Sequence, residues 1–348
     1  MKICYFGDFD PDYARNRVII RGLEENGVEV LLCRTVKKGF KGLVDLFGKH
    51  RGLKNKYDLI IVGYSDSRFM LPLAKLISNK KIVWDAFYSL YDSWVFDRKL
   101  TSPKSLKAKY YWFLDWLGCK LANFILLDTN VHIEYFINTF NVPKSKFVRV
   151  LVGTDNEIFY PRNQKKETSR FLVHFHGHFI PLQGAEYIIR AAHILKNEDL
   201  KFRIIGRGQE YLKIRNLAEK LELKNINWIN NVPYGELPGY INRADICLGG
   251  FGGTEKAKHV SMNKLFEYMA CGKPIITGDS AGVKEFLTDN ETAIFCERAS
   301  AEDLAQKILI LKNDSILREK LGRNARIEFE NKYTPKIIVS KLLEELNE

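Results

Sequence analysis

The residues best spaced for chemistry stand in Ser261-Met-Asn-Lys-Leu-Phe-Glu-Tyr-Met-Ala-Cys-Gly-Lys-Pro274. Lys264 and Glu267 are three positions apart, so on a helix they share a face. A lysine ammonium can neutralise a phosphate, and a carboxylate can accept hydrogen bonds from vicinal hydroxyls; a ribose diphosphate asks for both. Ser261 suits an N-cap, Gly272 the left-handed position after the helix, and Pro274 the stop beyond it. The free N–H groups of residues 262–264 would then face a ligand, and an anion there gains from those donors and from the helix dipole. On spacing alone, a solvated Lys–Glu pair on a surface helix is the simpler account.

Other stretches put polar groups at turns. Gly249-Gly-Phe-Gly-Gly253 follows an apolar run, where glycines let backbone N–H groups approach a ligand closely, and Lys256, Lys258 and His259 come next. Glycine turns are equally common in loops without function. Gly206-Arg-Gly-Gln-Glu210 sets a guanidinium at a strand-to-helix turn, but it lacks the third glycine of the dinucleotide fingerprint and no ribose-binding acid follows it. A nicotinamide cofactor is therefore discounted. In the first half, Arg15 and Asn16 follow the turn that begins at Gly7, and Asp85 and Asp92 bound a segment at a strand's carboxyl end. Asp85 could orient an acceptor hydroxyl or a sugar. Helix capping and a solvated arginine explain these residues equally well, and Asp128-Thr129 is a weaker candidate with the same alternative.

These residues need a scaffold. At roughly 100–200 residues per domain, 348 residues imply two. Short β-branched or aromatic runs alternate with helical patterns throughout, which predicts parallel strands joined by crossover helices. Strands are expected at residues 2–6, 28–33, 59–62, 82–84, 124–127 and 147–151, then again at 171–176, 201–205, 226–229, 246–249 and 274–277. The polar stretch Pro161–Arg170 has no apolar period and is the linker candidate. The expected fold is α/β: two Rossmann-like, doubly wound parallel-sheet domains facing a cleft, over residues 1–163 and 164–334. A terminal helix at 335–348 is a candidate to pack back on the first domain. Six scattered cysteines without a C-x-x-C pair suggest free thiols in a reducing compartment. No apolar run of about 18 residues suggests a membrane span.

Taken together, several segments resemble the carboxyl-terminal domain of the retaining GT-B glycosyltransferases, family 4 in particular. They are Phe175–Gly184, Ile205–Glu210, Ala244-Asp-Ile246 and Glu267–Pro274, with Val152–Asp155 and Phe159–Pro161 upstream. The order of segments is more specific than any one of them, and the resemblance extends from about residue 124 onward. It implies a GT-B fold and a carboxylate, Glu267, on the ribose hydroxyls of a sugar nucleotide, with residues around Gly206–Gln209 near the base. The implied donor-binding set is Gly177, His178, Gln183, Arg207, Gly252, His259, Asn263 and Glu267. Two departures stand out. His259 occupies the place of a second family glutamate that touches the donor sugar, and the loop from His178 to Gln183 lacks the family's Arg and Lys. Lys264 and Lys258 are then the expected phosphate cations. They join Asp85 as the catalytic candidates, and Arg15, Asn16 and Asp92 are expected on the acceptor side.

The formal charge of +12 points to an anionic partner. Residues 37–56 hold seven cations against Asp45, and Phe40, Leu43, Val44 and Phe47 recur at helical spacing. A second cluster, within residues 98–116, runs into Tyr110-Tyr-Trp-Phe113. Both patterns suit an anionic membrane surface, and ordinary domain helices explain them about as well. The resulting expectation is a cytoplasmic enzyme, with peripheral attachment to the membrane's cytoplasmic face suggested by the basic segments. It would move a sugar, with retention and without metal or cofactor, from a UDP- or GDP-linked donor to a lipid-linked or polysaccharide acceptor. A GT-B epimerase or phosphorylase and a non-catalytic nucleotide- or nucleic-acid-binding homologue are the competing classes. Nucleic acid is not an expected partner, because no binding motif accompanies the charge.

Overall fold

The computed structural model describes residues 1–165 and 169–347. The chain divides into two compact units, Met1–Asp155 with Thr334–Glu348, and Asn156–Tyr333. The division falls after Asp155 rather than Asn163, because the intervening residues bond into the second unit. The Arg162 N–H donates to Asn242 Oδ1 at 2.8 Å, Asn242 Nδ2 donates to the Tyr160 carbonyl at 3.1 Å, and the Phe159 ring packs on Tyr234. Residues 166–168 of the expected linker lie outside the described residues.

Unit 1 alternates β1 (Lys2–Gly7), α1 (Ala14–Glu25), β2 (Glu29–Arg34), α2 (Gly39–Leu53), β3 (Leu59–Val62), α3 (Met70–Ile77), β4 (Lys81–Asp85), α4 (Leu106–Leu121), β5 (Phe124–Leu127), α5 (Asn130–Phe140) and β6 (Phe147–Arg149). Its parallel sheet runs β2-β1-β3-β4-β5-β6. Strands such as Leu-Ile-Ile-Val in β3 are buried at every residue, as expected where helices cover both faces of a parallel sheet.

Unit 2 continues with β7 (Phe171–His176), α6 (Ala185–Ile194), β8 (Leu200–Ile205), α7 (Tyr211–Lys220), β9 (Ile226–Ile229), α8 (Leu237–Arg243), β10 (Ile246–Leu248), α9 (Lys256–His259), α10 (Asn263–Ala270), β11 (Ile275–Gly278), β12 (Ile294–Cys296), α11 (Ala301–Asn313) and α12 (Ser315–Lys332). Its sheet order, β12-β11-β10-β7-β8-β9, is the Rossmann order read from the far edge. The winding reverses between β7 and β10, and ligands of such sheets sit at the carboxyl ends of the strands flanking that point. α13 (Pro335–Asn347) returns to unit 1 and packs on α1.

All six cysteines are buried and free. No described helix is long and apolar enough to cross a membrane.

Candidate active site

The reversal point of unit 2 gathers Gly177 and His178 after β7, Gly249 and Gly250 after β10, and α10 close by. α10 starts one residue later than expected. Met262, not Ser261, takes the extended N-cap position, without a side-chain cap bond. Ser261 is buried instead of exposed at the helix mouth. The far end behaves as expected. Gly272 adopts φ +65°, its N–H bonds the Met269 carbonyl at 3.0 Å, and the Lys273 N–H bonds the Tyr268 carbonyl at 3.0 Å. Those two bonds form a Schellman motif, which needs the left-handed residue that glycine supplies most easily.

Lys264 and Glu267 are no surface pair: both are buried, at 4% and 3% exposure. Lys264 Nζ lies 2.5 Å from Gln183 Oε1 and 3.9 Å above the centre of the Phe175 ring. A Cβ at Gly177 would come within 2.8 Å of that ammonium, so glycine makes room for it. Burial pulls the Lys264 pKa down to about 7, against the opposing pull of Glu267. This cation faces an amide and a ring rather than a full counter-charge, which is how a protein prepares a place for an incoming anion.

Glu267 Oε2 lies 2.7 Å from His176 Nε2. Behind it, His176 Nδ1 meets His174 Nε2 at 3.0 Å, and Arg203 Nε reaches His174 Nδ1 at 3.3 Å. Burial lowers the pKa of both imidazoles, so they are neutral. None of these three residues was singled out in the sequence. The available signal was the pair His174 and His176 at strand spacing in an otherwise apolar run, ending where the sheet reverses.

The other expected donor residues divide. Arg207 and His178 are exposed at the ends of β8 and β7, and the Phe179 N–H bonds the Arg207 carbonyl at 2.9 Å, tying the two turns together. Asn263 opens α10 and is half-buried, and His259 is buried on α9. Gly252 is packing: its N–H bonds the Leu182 carbonyl at 3.2 Å, so that donor is already used. Lys258 stands on α9, half-exposed and paired with Glu255 at 2.5 Å, so it is not part of the buried Lys264 group.

In unit 1, Asp85 and Arg15 are a fully buried ion pair: Arg15 Nε donates to Asp85 Oδ1 at 3.2 Å and Oδ2 at 3.0 Å, and Nη2 donates to Oδ1 at 3.0 Å. Arg15 Nη1 also donates to the Val150 carbonyl at 2.6 Å. Arg15 thereby ties Asp85 to the chain just after β6. Asn16 bonds Tyr5, Asp10 and Tyr64 and is a strut. Asp92 is buried at the start of the π-helical segment Asp92–Asp97, and Thr129 caps α5 through the His132 N–H at 3.0 Å. What does gather at the carboxyl edge of this sheet is a set of rings. Tyr64 lies 4.8 Å from Tyr13, 4.9 Å from Phe87 and 5.8 Å from Tyr88, and Phe87 takes a left-handed φ of 55°.

Residues 156–328 match the family model described as glycosyl transferases group 1. Those residues lie within unit 2, which belongs to that family. The uncharacterized glycosyltransferase MJ1178 of Methanocaldococcus jannaschii is 29% identical over 333 residues, which are 93% of this chain and 88% of the relative. The poly(ribitol-phosphate) alpha-N-acetylglucosaminyltransferase of Staphylococcus aureus is 28% identical over 187 residues, 52% of this chain and only 36% of that enzyme. The crystal structure of Anabaena Alr3699/HepE in complex with UDP-glucose superimposes with a TM-score of 0.73 at 15% identity, covering 100% of this chain and 99% of the other. This group 1 glycosyltransferase therefore has the GT-B fold of two Rossmann-like domains. Among the described residues, no three His, Cys, Asp or Glu side chains converge as a metal site.

Proposed function

We propose that this glycosyltransferase moves a sugar, with retention, from a UDP- or GDP-linked donor to a lipid-linked or polysaccharide acceptor at an anionic membrane surface. The observation that carries the donor assignment is the pairing of Lys264 and Glu267 beside the reversal point of unit 2. Lys264 is a buried cation without a full counter-charge, and Glu267 has one oxygen held and the other open among the described residues. The first suits a diphosphate and the second the ribose hydroxyls. The UDP-glucose bound by the structural relative supports a nucleotide sugar as donor.

Retention follows from the family resemblance. The bond from the anomeric carbon to the diphosphate breaks and the bond to the acceptor oxygen forms on the same face, while the acceptor proton passes to the leaving phosphate. Lys264 and the free N–H groups at the start of α10 would stabilise the charge that develops on that phosphate, without a metal. Acceptor recognition is assigned to unit 1, where Tyr13, Tyr64, Phe87 and Tyr88 form an aromatic surface.

The membrane assignment rests on helix faces. α2 buries Gly42, Leu46 and His50, which leaves Phe40, Val44 and Phe47 exposed among Lys37, Lys38 and Lys41. α4 exposes Leu106, Tyr110 and Phe113 beside Lys107 and Lys109. α3 packs against both helices and exposes Phe69 and Leu76. Three adjacent helices with apolar ridges and lysine flanks fit a lipid surface of negative charge.

The donor reading is tested by thermal shift of the wild type and Glu267→Ala with UDP, GDP, ADP and their sugars. Stabilisation by UDP or GDP that is lost in the variant is expected. If no nucleotide stabilises the wild type, the donor site is wrong; stabilisation that survives the substitution places the ligand elsewhere.

A further inference from the structure

A polar thread runs through the interior of unit 2 and ends on Glu267. His174 and His176 are two apart on β7 and therefore point to one face of the sheet. Arg203 of β8 is the register partner of His174, which sets the guanidinium beside that imidazole. All four members, Arg203, His174, His176 and Glu267, are buried. Their contacts run 3.3, 3.0 and 2.7 Å in that order.

The thread has a direction fixed by chemistry. Arginine carries only donors, so His174 Nδ1 must accept. A neutral His174 then holds its proton on Nε2 and donates to His176 Nδ1. His176 in turn holds its proton on Nε2 and donates to Glu267 Oε2. The Tyr268 hydroxyl, 3.2 Å from His176 Nδ1, has the Leu248 carbonyl at 3.2 Å to receive its own proton, so it does not compete for that nitrogen. Each tautomer is dictated by its neighbour, beginning at a group that cannot lose its charge.

We infer that His176, held in its tautomer by His174 and Arg203, is the positioning residue that fixes the Glu267 carboxylate for the ribose of the donor. The inference rests on the proposed role of Glu267. A neutral imidazole N–H orients the carboxylate through one oxygen without neutralising it, so Oε1 remains a full-strength acceptor for a hydroxyl. A lysine or arginine at position 176 would pair with the charge instead.

The test compares UDP with 2′-deoxy-UDP by calorimetry, with GDP and its 2′-deoxy form in parallel. In the wild type, loss of the 2′-hydroxyl should weaken binding about ten-fold or more. His176→Phe removes the donor and keeps a ring; it should weaken the ribonucleotide while sparing the deoxynucleotide, so that the ratio between them collapses. His176→Gln keeps an N–H and should restore most of that ratio. Adding His176→Phe to Glu267→Ala should change nothing further. Equal weakening of both nucleotides, or no change in either, would overturn the inference. A wild type that does not distinguish ribose from deoxyribose overturns the underlying role of Glu267 instead. Nitrogen-15 spectra of the wild type labelled at histidine need no variant to fold. They should show both buried imidazoles neutral with the proton on Nε2, and a proton on Nδ1 of either would also overturn the inference.

Discussion

At the residue scale, Lys264 separates stability from function. A cation buried against Phe175 with a glutamine amide as its hydrogen-bond partner costs folding free energy, because desolvation is not repaid by a full charge. Lys264→Met should therefore leave the melting temperature of the free protein unchanged or raise it by about 2–4 °C, while abolishing the stabilisation by UDP. A lower melting temperature with an intact UDP shift would make Lys264 structural. Its pKa gives a second, signed expectation. Near 7 in the fold and about 10.4 in the unfolded chain, Lys264 binds fewer protons when folded across that interval, so its destabilising effect is complete below pH 7 and fades as pH rises. An anionic ligand should restore the proton. UDP binding at pH 8 should then take up close to one proton, and affinity should fall between pH 7 and 9. Calorimetry in buffers of different ionisation enthalpy measures this, and proton release would refute it. The sequence made Lys264 and Glu267 visible because their spacing and the order of segments around them were legible. It hid the histidine thread, because an imidazole inside an apolar strand run looks like core until a neighbouring strand brings Arg203 beside it. Arg15 and Asp85, 70 residues apart, were likewise each legible as polar residues but not as partners.

At the element scale, the strand runs were readable because they are bounded by turn residues and, away from the edge strands β2 and β9, mostly buried on both faces. β3, β5, β7 and β9 occupy the residues expected for them. β12 was not foreseen: three residues, Ile294–Cys296, are too few to show a period. α2 shows what periodicity alone leaves open. Its apolar residues were legible, yet the face turned to the sheet is the one carrying Gly42, Leu46 and His50, and the Phe40 ridge faces solvent at 79% exposure. Only packing decides which face is buried. The consequence is measurable on vesicles. Each lysine near an anionic surface contributes about 1 kcal/mol, so Lys38→Glu with Lys41→Glu should lower partitioning onto phosphatidylglycerol vesicles at low salt by roughly ten-fold or more. Phe40→Ser with Phe47→Ser should weaken it at both low and high salt. Equal partitioning of the wild type onto neutral and anionic vesicles would remove the membrane assignment.

At the scale of the whole molecule, two runs of the β–α alternation were enough to count two sheets, but their strand orders were not legible. Order depends on which edge each crossover extends, and the two units differ: the first runs β2-β1-β3 at one edge, the second β9-β8-β7. The chain also closes on itself, because α13 leaves unit 2 and packs along α1. A Cβ on Gly22 of α1 would stand 2.8 Å from Val339 Cβ, so the two helices approach as closely as a glycine allows. Ile338, Val339, Leu342 and Leu346 are buried there. At about 1.5–3 kcal/mol for each fully buried aliphatic side chain, α13 contributes an amount comparable with the net stability of a whole domain. The apolar cores of the two units are separate clusters, one within residues 4–142 and the other within residues 173–321. Deletion of residues 335–348 should thus strip unit 1 of hydrogen-exchange protection at β1 and α1, while β7, β8 and α10 stay protected and UDP still raises that protection. Gly22→Val, which forces α13 away without shortening the chain, should act in the same direction. If protection falls equally in both units, the cores are coupled and the division into two folding units fails; if it falls in neither, α13 is dispensable to the sheet it covers.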